Sequence, residues 1–232
     1  MRPSIPRFAL VVLLATAVVA AGAAPAASRE PPQAACGVCT DALTTAAADH
    51  GVPLSTGRAT LSVRVGADAS TRWTARVALR EGASALRNDS LRADVVAEAL
   101  GRARAVGDPR NVTSRLEGST LVVSARDPGL ARRTAGVVLF TGFHASDPAM
   151  PLTGGGEGTV YQGADQVVVR GPDGYVASGD YAGASENRTA VRWERDPNAV
   201  VDRSTVLAFV PGRAALPGVR AFLARTLFRL GA

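Results

Sequence analysis

Two neighbouring stretches of the sequence alternate apolar and polar residues, and this pattern constrains the fold more than any other feature. The alternating apolar residues are Leu61, Val63 and Val65 in the first stretch and Trp73, Ala75, Val77 and Leu79 in the second. A period of two residues is typical of a β-strand with one buried face. The short segment 66–71 between the stretches predicts a hairpin with one face on a core, including Trp73 and Val77, and one arginine-rich face in water.

Further helices and strands are predicted after that hairpin. Residues 88–90 are good helix N-cap residues, and apolar residues follow them at helical spacing as far as Ala103. A second hairpin, a short helix after a turn and a buried strand are then predicted over 112–125, 127–132 and 137–140. We therefore expect an α+β fold, an antiparallel sheet with helices on one face, followed by a β-rich segment and a C-terminal helix.

Composition divides the chain into six predicted segments. They are a signal peptide over 1–27, a tether over 28–35, an α+β domain over 36–143, a Gly- and Pro-rich loop over 144–158, a β-rich segment over 159–211 and a C-terminal amphipathic helix over 212–232. Strands of the β-rich segment are expected at 166–170, 174–178, 190–194 and 205–210.

The first residues predict export. Arg2 and Arg7 precede an uncharged apolar run from Phe8 to Ala24, and small residues follow that run. This is the layout of a secretory signal peptide, so we expect cleavage between Ala24 and Ser28 and a secreted or cell-surface protein outside the cytoplasm. The alternative is a retained leader that anchors the protein in the membrane.

Composition also narrows the expected partners. All 26 basic residues are arginine, and the formal net charge is +6. Basic proteins can bind nucleic acid or anionic surfaces. Here acidic residues are interleaved with the arginines, and no basic run carries aromatic rings. We therefore expect no nucleic-acid partner, and instead an unidentified partner in the cell envelope or at its surface.

The only two cysteines, Cys36 and Cys39, form a CxxC at the start of a predicted helical stretch that ends at His50-Gly51. Outside the cytoplasm the simplest outcome for such a pair is a local disulfide. Two alternatives stay open. One is thiol redox chemistry, because a helix N-terminus stabilises a thiolate, and the other is a metal site that also recruits His50. No cofactor is expected.

No sequence motif specifies a reaction. His144, Ser146 and Asp147 are the residue types of a hydrolase triad, but they are almost adjacent and no GxSxG is present. We therefore expect a non-enzymatic protein. Three sequons give candidate N-glycosylation sites at Asn88, Asn111 and Asn187.

The C-terminal segment predicts an amphipathic helix over 219–230. Its apolar stripe is formed by Leu216, Val219, Leu223, Leu227 and Leu230. One interpretation is a terminal helix that docks on the domain through this stripe. The other is a basic amphipathic helix, with Arg225 and Arg229 on another side, that contacts a membrane surface.

Short strand and turn segments carry a resemblance to a known group of proteins. They are TRWTARV at 71–77, RDP at 126–128 with VLFT at 138–141, and VRW at 191–193 with TVLAF at 205–209. On these segments the chain resembles a group of uncharacterised exported haloarchaeal proteins, which implies secretion or cell-surface attachment and no particular activity. The predicted function is an exported, non-enzymatic cell-surface binding or envelope-structural protein. The alternative is an extracytoplasmic thiol-redox or metal-handling protein that uses the CxxC.

Overall fold

The computed structural model describes residues 35–102, 109–144, 163–179, 181, 184–194 and 205–231. The predicted signal peptide, nearly all of the tether and nearly all of the loop over 144–158 lie outside these residues. Residues from Pro31 onward form one compact unit. No described helix is both long enough and apolar enough to cross a membrane.

Helices and strands mix as the sequence predicts. The helices are α1 (Asp41–Asp49), α2 (Asp89–Arg102) and α3 (Pro217–Arg229), with single 3-10 turns at Gly37–Cys39 and Ala85–Arg87. The strands are β1 (Ser55–Val65), β2 (Thr71–Glu81), β3 (Arg110–Glu117), β4 (Thr120–Arg126), β5 (Ala131–Thr134), β6 (Val137–Phe140), β7 (Gln166–Arg170), β8 (Tyr175–Ser178), β9 (Ala184–Asn187), β10 (Ala190–Glu194) and β11 (Leu207–Pro211). The α+β fold class is confirmed.

The strands form a large and a small sheet. The large sheet has the order β3-β4-β2-β1-β7-β10-β9, and the small sheet has the order β5-β6-β11-β8. Both predicted hairpins, β1-β2 and β3-β4, are confirmed as antiparallel pairs. Within the large sheet β1 and β7 run parallel. This one parallel pair joins strands from the first half of the chain to strands from the second half.

The two central strands of the small sheet, β6 and β11, are buried on both faces. Alternate residues of β6 and β11 belong to two different cores. Val138, Phe140, Leu207 and Phe209 join the main core with α1, α2 and the buried face of the large sheet. Val137, Leu139, Ala208 and Val210 form a second core with residues of α3. The helices α1 and α2 and the small sheet therefore cover the same face of the large sheet, and its other face is polar.

Local sequence sets the ends of the first two helices. The Thr40 side chain accepts a hydrogen bond from the Ala42 backbone N–H at 3.2 Å at the start of α1. Gly51 follows that helix with a φ of +72°, which confirms the predicted left-handed terminator. Asn88 Oδ1 accepts from the Leu91 N–H at 3.1 Å and caps α2 as predicted.

The prediction of a short helix after Asp127-Pro128 is wrong. Asp127 Oδ1 accepts from the Gly129 N–H at 2.9 Å in a turn, and the chain then forms β5. Ala135 and Gly136, both with positive φ, make the two-residue connection to β6 that a hairpin of this type requires. Antiparallel pairing with β6 gives β5 its ladder hydrogen bonds and overrides the weak helical pattern.

The prediction that Trp73 and Val77 lie on the buried face of the first hairpin is confirmed for Val77 and only in part for Trp73. Val77 lies on the buried face and is 1% exposed, which confirms the register of the first hairpin. Trp73 lies on the same face but is only half-buried, because alternation predicts which face is covered and not how far the cover extends. The fully buried indole is that of Trp193, whose ring centroid lies 5.0 Å from that of Phe143.

The predicted C-terminal helix is confirmed, but the apolar stripe does not dock it. Ala221 and Ala224 are fully buried against the small sheet. The Arg225 guanidinium donates to the Ser178 carbonyl at 2.8 Å on the same side. Leu216 and Leu230, at the two ends of the predicted stripe, are 70% and 77% exposed. Small residues let α3 approach the sheet closely, and the large apolar residues face outward.

Candidate functional site

The polar face of the large sheet carries arginines at directly paired positions of five adjacent strands. The pairs are Arg170 with Arg64, Arg64 with Arg72, Arg72 with Arg126, and Arg126 with Arg110. All five side chains are exposed. We call this set the arginine row. Adjacent strands lie about 4.8 Å apart, so the row extends about 19 Å across the strands.

Strand alternation explains why these arginines share one face. In β1, Arg64 is exposed between Val63 and Val65, which are each 1% exposed. In β2, Arg72 is exposed directly after the buried Thr71. Directly paired residues of neighbouring strands point to the same side of a sheet. The hydrophobic pattern that builds the core therefore also fixes the row on the opposite face.

Charge pairing separates the arginine row from three other arginines on this face, Arg76, Arg115 and Arg192. Arg76 and Arg115 both form ion pairs with Glu117, and Arg192 lies 4.0 Å from Glu194. Four members of the row have no such carboxylate partner among the residues that the structure describes. They are Arg64, Arg72, Arg126 and Arg170. Like charges at directly paired positions destabilise a sheet, so these four arginines form a local concentration of positive charge without a described carboxylate partner.

An open cavity of about 590 Å³ lies over the middle of the row. Its lining includes Arg64, Arg72 and Arg126, the hydroxyl residues Ser62, Ser70, Thr71 and Thr74, and Gly66 and Asp68. We call this cavity the basin. Arginine forks bind carboxylate, sulfate and phosphate oxygens well, because a planar guanidinium can donate two parallel hydrogen bonds. The basin therefore has the chemistry of an anion-binding surface.

Asp68 is the one carboxylate in the described lining of the basin, and it accepts hydrogen bonds from within the β1–β2 turn. Its Oδ1 accepts from the Ser70 hydroxyl at 2.6 Å and from the Ser70 N–H at 3.0 Å. These hydrogen bonds, led by the one from the hydroxyl, lower the pKa of Asp68 below its ordinary value. The ionised carboxylate holds the β1–β2 turn in shape, and three arginines still give the basin a positive balance.

Cys36 and Cys39 form a disulfide with a Cα–Cα distance of 5.2 Å. Cys36 is 3% exposed and packs in the main core, directly before the 3-10 turn at Gly37–Cys39. In the structure both sulfurs are held in this bond, which closes the single 3-10 turn at Gly37–Cys39. Its Cα–Cα distance is in the usual range for a disulfide.

The weak metal candidate His50 lies in an ionic cluster on the helices. Its Nε2 is 3.1 Å from Glu98 Oε2, and Arg102 also pairs with Glu98. The hydrogen bond from Arg102, together with His50, lowers the pKa of Glu98. Within the described ranges no three residues of the His, Cys, Asp and Glu types come together as a set of metal ligands.

The three sequon asparagines are all exposed in the structure. Asn88 caps α2, and Asn187 Oδ1 accepts from the Ala190 N–H at 2.8 Å in the β9–β10 turn. Asn111 has a φ of +53° next to an irregularity of β3. Asn88 and Asn187 each use the side-chain oxygen for these hydrogen bonds. The side-chain nitrogen, which is the atom that would carry a glycan, takes no part in them. Glycosylation at these sites stays a prediction.

His144 lies apart from the arginine row, against α3. Its ring centroid is 5.0 Å from that of Phe228, and its buried Nδ1 has no hydrogen-bond partner among the residues that the structure describes. Burial, reinforced by the positive charges of Arg229 and Arg132, lowers the pKa of His144. The other two members of the residue set considered for a hydrolase, Ser146 and Asp147, lie outside the described residues.

The arginine row is not predicted from the sequence, because its members lie far apart along the chain and acidic residues are interleaved with the arginines. The predicted first hairpin contained part of the signal, since its register sets Arg64 opposite Arg72. Arg126 and Arg170 join the row only through pairings of β4 and β7 that no local pattern specifies.

Comparisons with known proteins give no relative to guide the assignment: no family model, curated protein or solved structure matches this chain.

Proposed function

We propose that this chain is an exported, non-enzymatic binding protein of the cell surface, and that its ligand is an extended anionic polymer held on the polar face of the large sheet. The observation that carries the proposal is the arginine row. The leader predicted from residues 1–27 supports a location outside the cytoplasm. The Cys36–Cys39 disulfide is compatible with that location.

The row makes better physical sense as a binding surface than as a folding device. Each directly paired arginine repels its neighbour, so the row opposes formation of the sheet. Elsewhere on the same face the fold neutralises arginine with glutamate, as Glu117 does for Arg76 and Arg115. A bound anion would neutralise the row in the same way. Binding energy would then come partly from relief of repulsion that the free protein contains.

The dimensions favour a polymer with repeated charges. The basin holds the three central arginines of the row, and Arg170 and Arg110 extend the positive surface on either side. A single small anion can contact two or three of these groups. A chain with carboxylate, sulfate or phosphate groups can contact all five along about 19 Å.

The residues of the basin support binding rather than a reaction. Its described lining contains arginine, serine, threonine, glycine and one aspartate, with no histidine or cysteine among them. A general base would need to be available for proton transfer at neutral pH. The two hydrogen bonds from Ser70 occupy Asp68 Oδ1 and lower the pKa of Asp68, which makes this carboxylate a poorer proton acceptor.

Isothermal titration with heparin, a sulfated polysaccharide, tests this proposal. The variant Arg64→Gln/Arg72→Gln/Arg126→Gln removes the centre of the row. The matched control Arg87→Gln/Arg133→Gln/Arg213→Gln removes the same charge from three other exposed arginines. We expect the row variant to bind at least about tenfold more weakly at low salt and the control to bind nearly as wild type. Equal losses in both variants would show that only net charge matters, and unchanged binding by the row variant would refute the site.

A second arm of the titration addresses the thiol-redox or metal alternative. Cys36→Ser/Cys39→Ser should bind heparin as the wild type does, because the cysteines lie in the core and not in the basin lining. If this variant lost binding while staying folded, the basin would not be the functional centre.

A further inference from the structure

We propose that α3 lies in the interface of an anionic lipid bilayer, with its outward apolar face among the acyl chains and its arginines at the lipid headgroups. This inference concerns a different surface from the arginine row and does not depend on the function proposed above.

The helix has two apolar faces of different character. The inner face consists of Ala221 and Ala224, both fully buried, with Phe228 packed beside them. The outer face carries the large apolar residues, each 39% to 77% exposed. They are Leu216, Val219, Phe222, Leu223, Leu227 and Leu230. At about 100° per residue the centres of the two faces lie about 150° apart around the helix axis.

This arrangement reverses the usual design of a docked surface helix. A docked helix normally buries its large apolar side chains and exposes polar ones. In α3 the fold uses the small residues for docking and leaves the large residues in solvent. Among the large apolar residues that the structure describes, Val112 at 40% is the only exposed one outside this group. A contiguous apolar surface of this kind marks an interaction site.

Charge identifies the occupant. Arg220 and Arg229 are exposed and lie at the two borders of the outer face, as the helical spacing of about 100° per residue places them. The sequence from Thr205 to Ala232 contains no aspartate or glutamate. A large apolar face bordered by arginine is typical of helices that lie in the plane of a membrane surface. Anionic headgroups complement it without any acidic protein partner.

A second copy of this chain is a poorer match for the same face. Two α3 helices packed face to face would bring the basic borders of both copies together, with no carboxylate in either helix to neutralise them. The thirteen residues of α3 span about 20 Å, which is enough to lie along a bilayer surface and too short to cross it.

The emission that Phe222→Trp adds to that of the wild type, which contains Trp73 and Trp193, reports on α3. The exported protein is mixed with vesicles of phosphatidylcholine that contain one third phosphatidylglycerol, and with vesicles of phosphatidylcholine alone. We expect a blue shift of the added tryptophan emission with the anionic vesicles, and a smaller one with the neutral vesicles. Val112→Trp, in β3, is the matched control and should show no shift. No shift at position 222, or equal shifts at both positions, would overturn the proposal.

Flotation of the same vesicles separates this surface from the arginine row. Leu223→Gln/Leu227→Gln should reduce vesicle binding about tenfold, because it removes two apolar side chains from the outer face. Both positions are exposed, so the melting temperature should stay close to that of the wild type. The variant Arg64→Gln/Arg72→Gln/Arg126→Gln should float like the wild type. Loss of binding in the row variant alone would assign membrane contact to the sheet and refute the helix.

Sedimentation at increasing protein concentration tests whether a second copy of this chain, and not a bilayer, covers the outer face of α3. We expect the wild type to sediment as a monomer. A dimer that Leu223→Gln/Leu227→Gln dissociates would overturn the membrane assignment of this face.

Discussion

Replacing the central arginine of the row should stabilise the free protein. Arg72 lies directly between Arg64 and Arg126, so its charge meets two like charges on neighbouring strands. At a separation of about 7 Å in a dielectric of about 80, each repulsion is about 0.6 kcal/mol before screening. Two neighbours therefore give about 1 kcal/mol at 0.01 M salt, where the Debye length of about 30 Å leaves the interaction nearly unscreened.

The variant Arg72→Gln keeps part of the apolar stem and removes the charge. We expect its melting temperature at low salt to exceed that of the wild type by about 2 to 4 °C, the shift that about 1 kcal/mol gives in a chain of this size. At 1 M salt the Debye length falls to about 3 Å, and the difference should disappear. Arg87→Gln, at an exposed arginine outside the sheet, serves as the control for loss of one positive charge.

Thermal unfolding at both salt concentrations measures this effect. Heparin should then raise the melting temperature of the wild type more than that of Arg72→Gln, because the variant has less repulsion to relieve. A variant that is less stable than the wild type at low salt would refute the reasoning. It would mean that favourable contacts hold Arg72 and that its positive charge is already compensated in the free protein.

Three further predictions concern the core and the docking of α3. Trp193→Ala should cost about 3 to 5 kcal/mol in urea unfolding, because the indole is 1% exposed in the main core. Gly171→Ala should cost about 1 to 3 kcal/mol, because a Cβ there would lie 2.2 Å from the Phe209 ring, whereas Gly101→Ala meets open space and should be neutral or stabilising. The pKa of His144 is lowered on folding, so its contribution to stability should be complete above pH 6.5 and decrease as the pH falls below that value; His144→Phe should flatten this part of a profile of melting temperature against pH.

Local patterns predicted most of the elements because a helix or a hairpin forms its hydrogen bonds between residues close in sequence and buries one face. The alternation around Leu61 and Val77 indicated both strands and the buried face of the first hairpin. The capping residues Thr40 and Asn88 begin helices in the described structure, and Asn88 was among the residues identified from sequence. The segment after Asp127 failed because a four-residue strand paired to β6 has too little pattern of its own.

Long-range pairing decided what the sequence could not show. The parallel pairing of β1 with β7 joins residues about a hundred positions apart, and no turn or period specifies it. The same holds for the depth of burial of Trp73 and Trp193, which have similar local sequences and different surroundings. Amphipathic periodicity found the apolar stripe of α3, but a stripe alone does not say whether protein, lipid or water covers it.

The abundance of arginine by itself does not explain where the arginines lie. A composition without lysine sets which basic residue is used, and it applies equally to every position. It does not place four arginines without described carboxylate partners at directly paired positions, while Arg76 and Arg192 on the same face have glutamate partners. Nor does it make α3 dock through Ala221 and Ala224 and turn its large side chains outward. Both arrangements oppose the stability of the isolated protein, since one adds charge repulsion and the other leaves apolar area in water. The two ligands that we propose, an anionic polymer on the sheet and an anionic bilayer on the helix, would each relieve one of these costs.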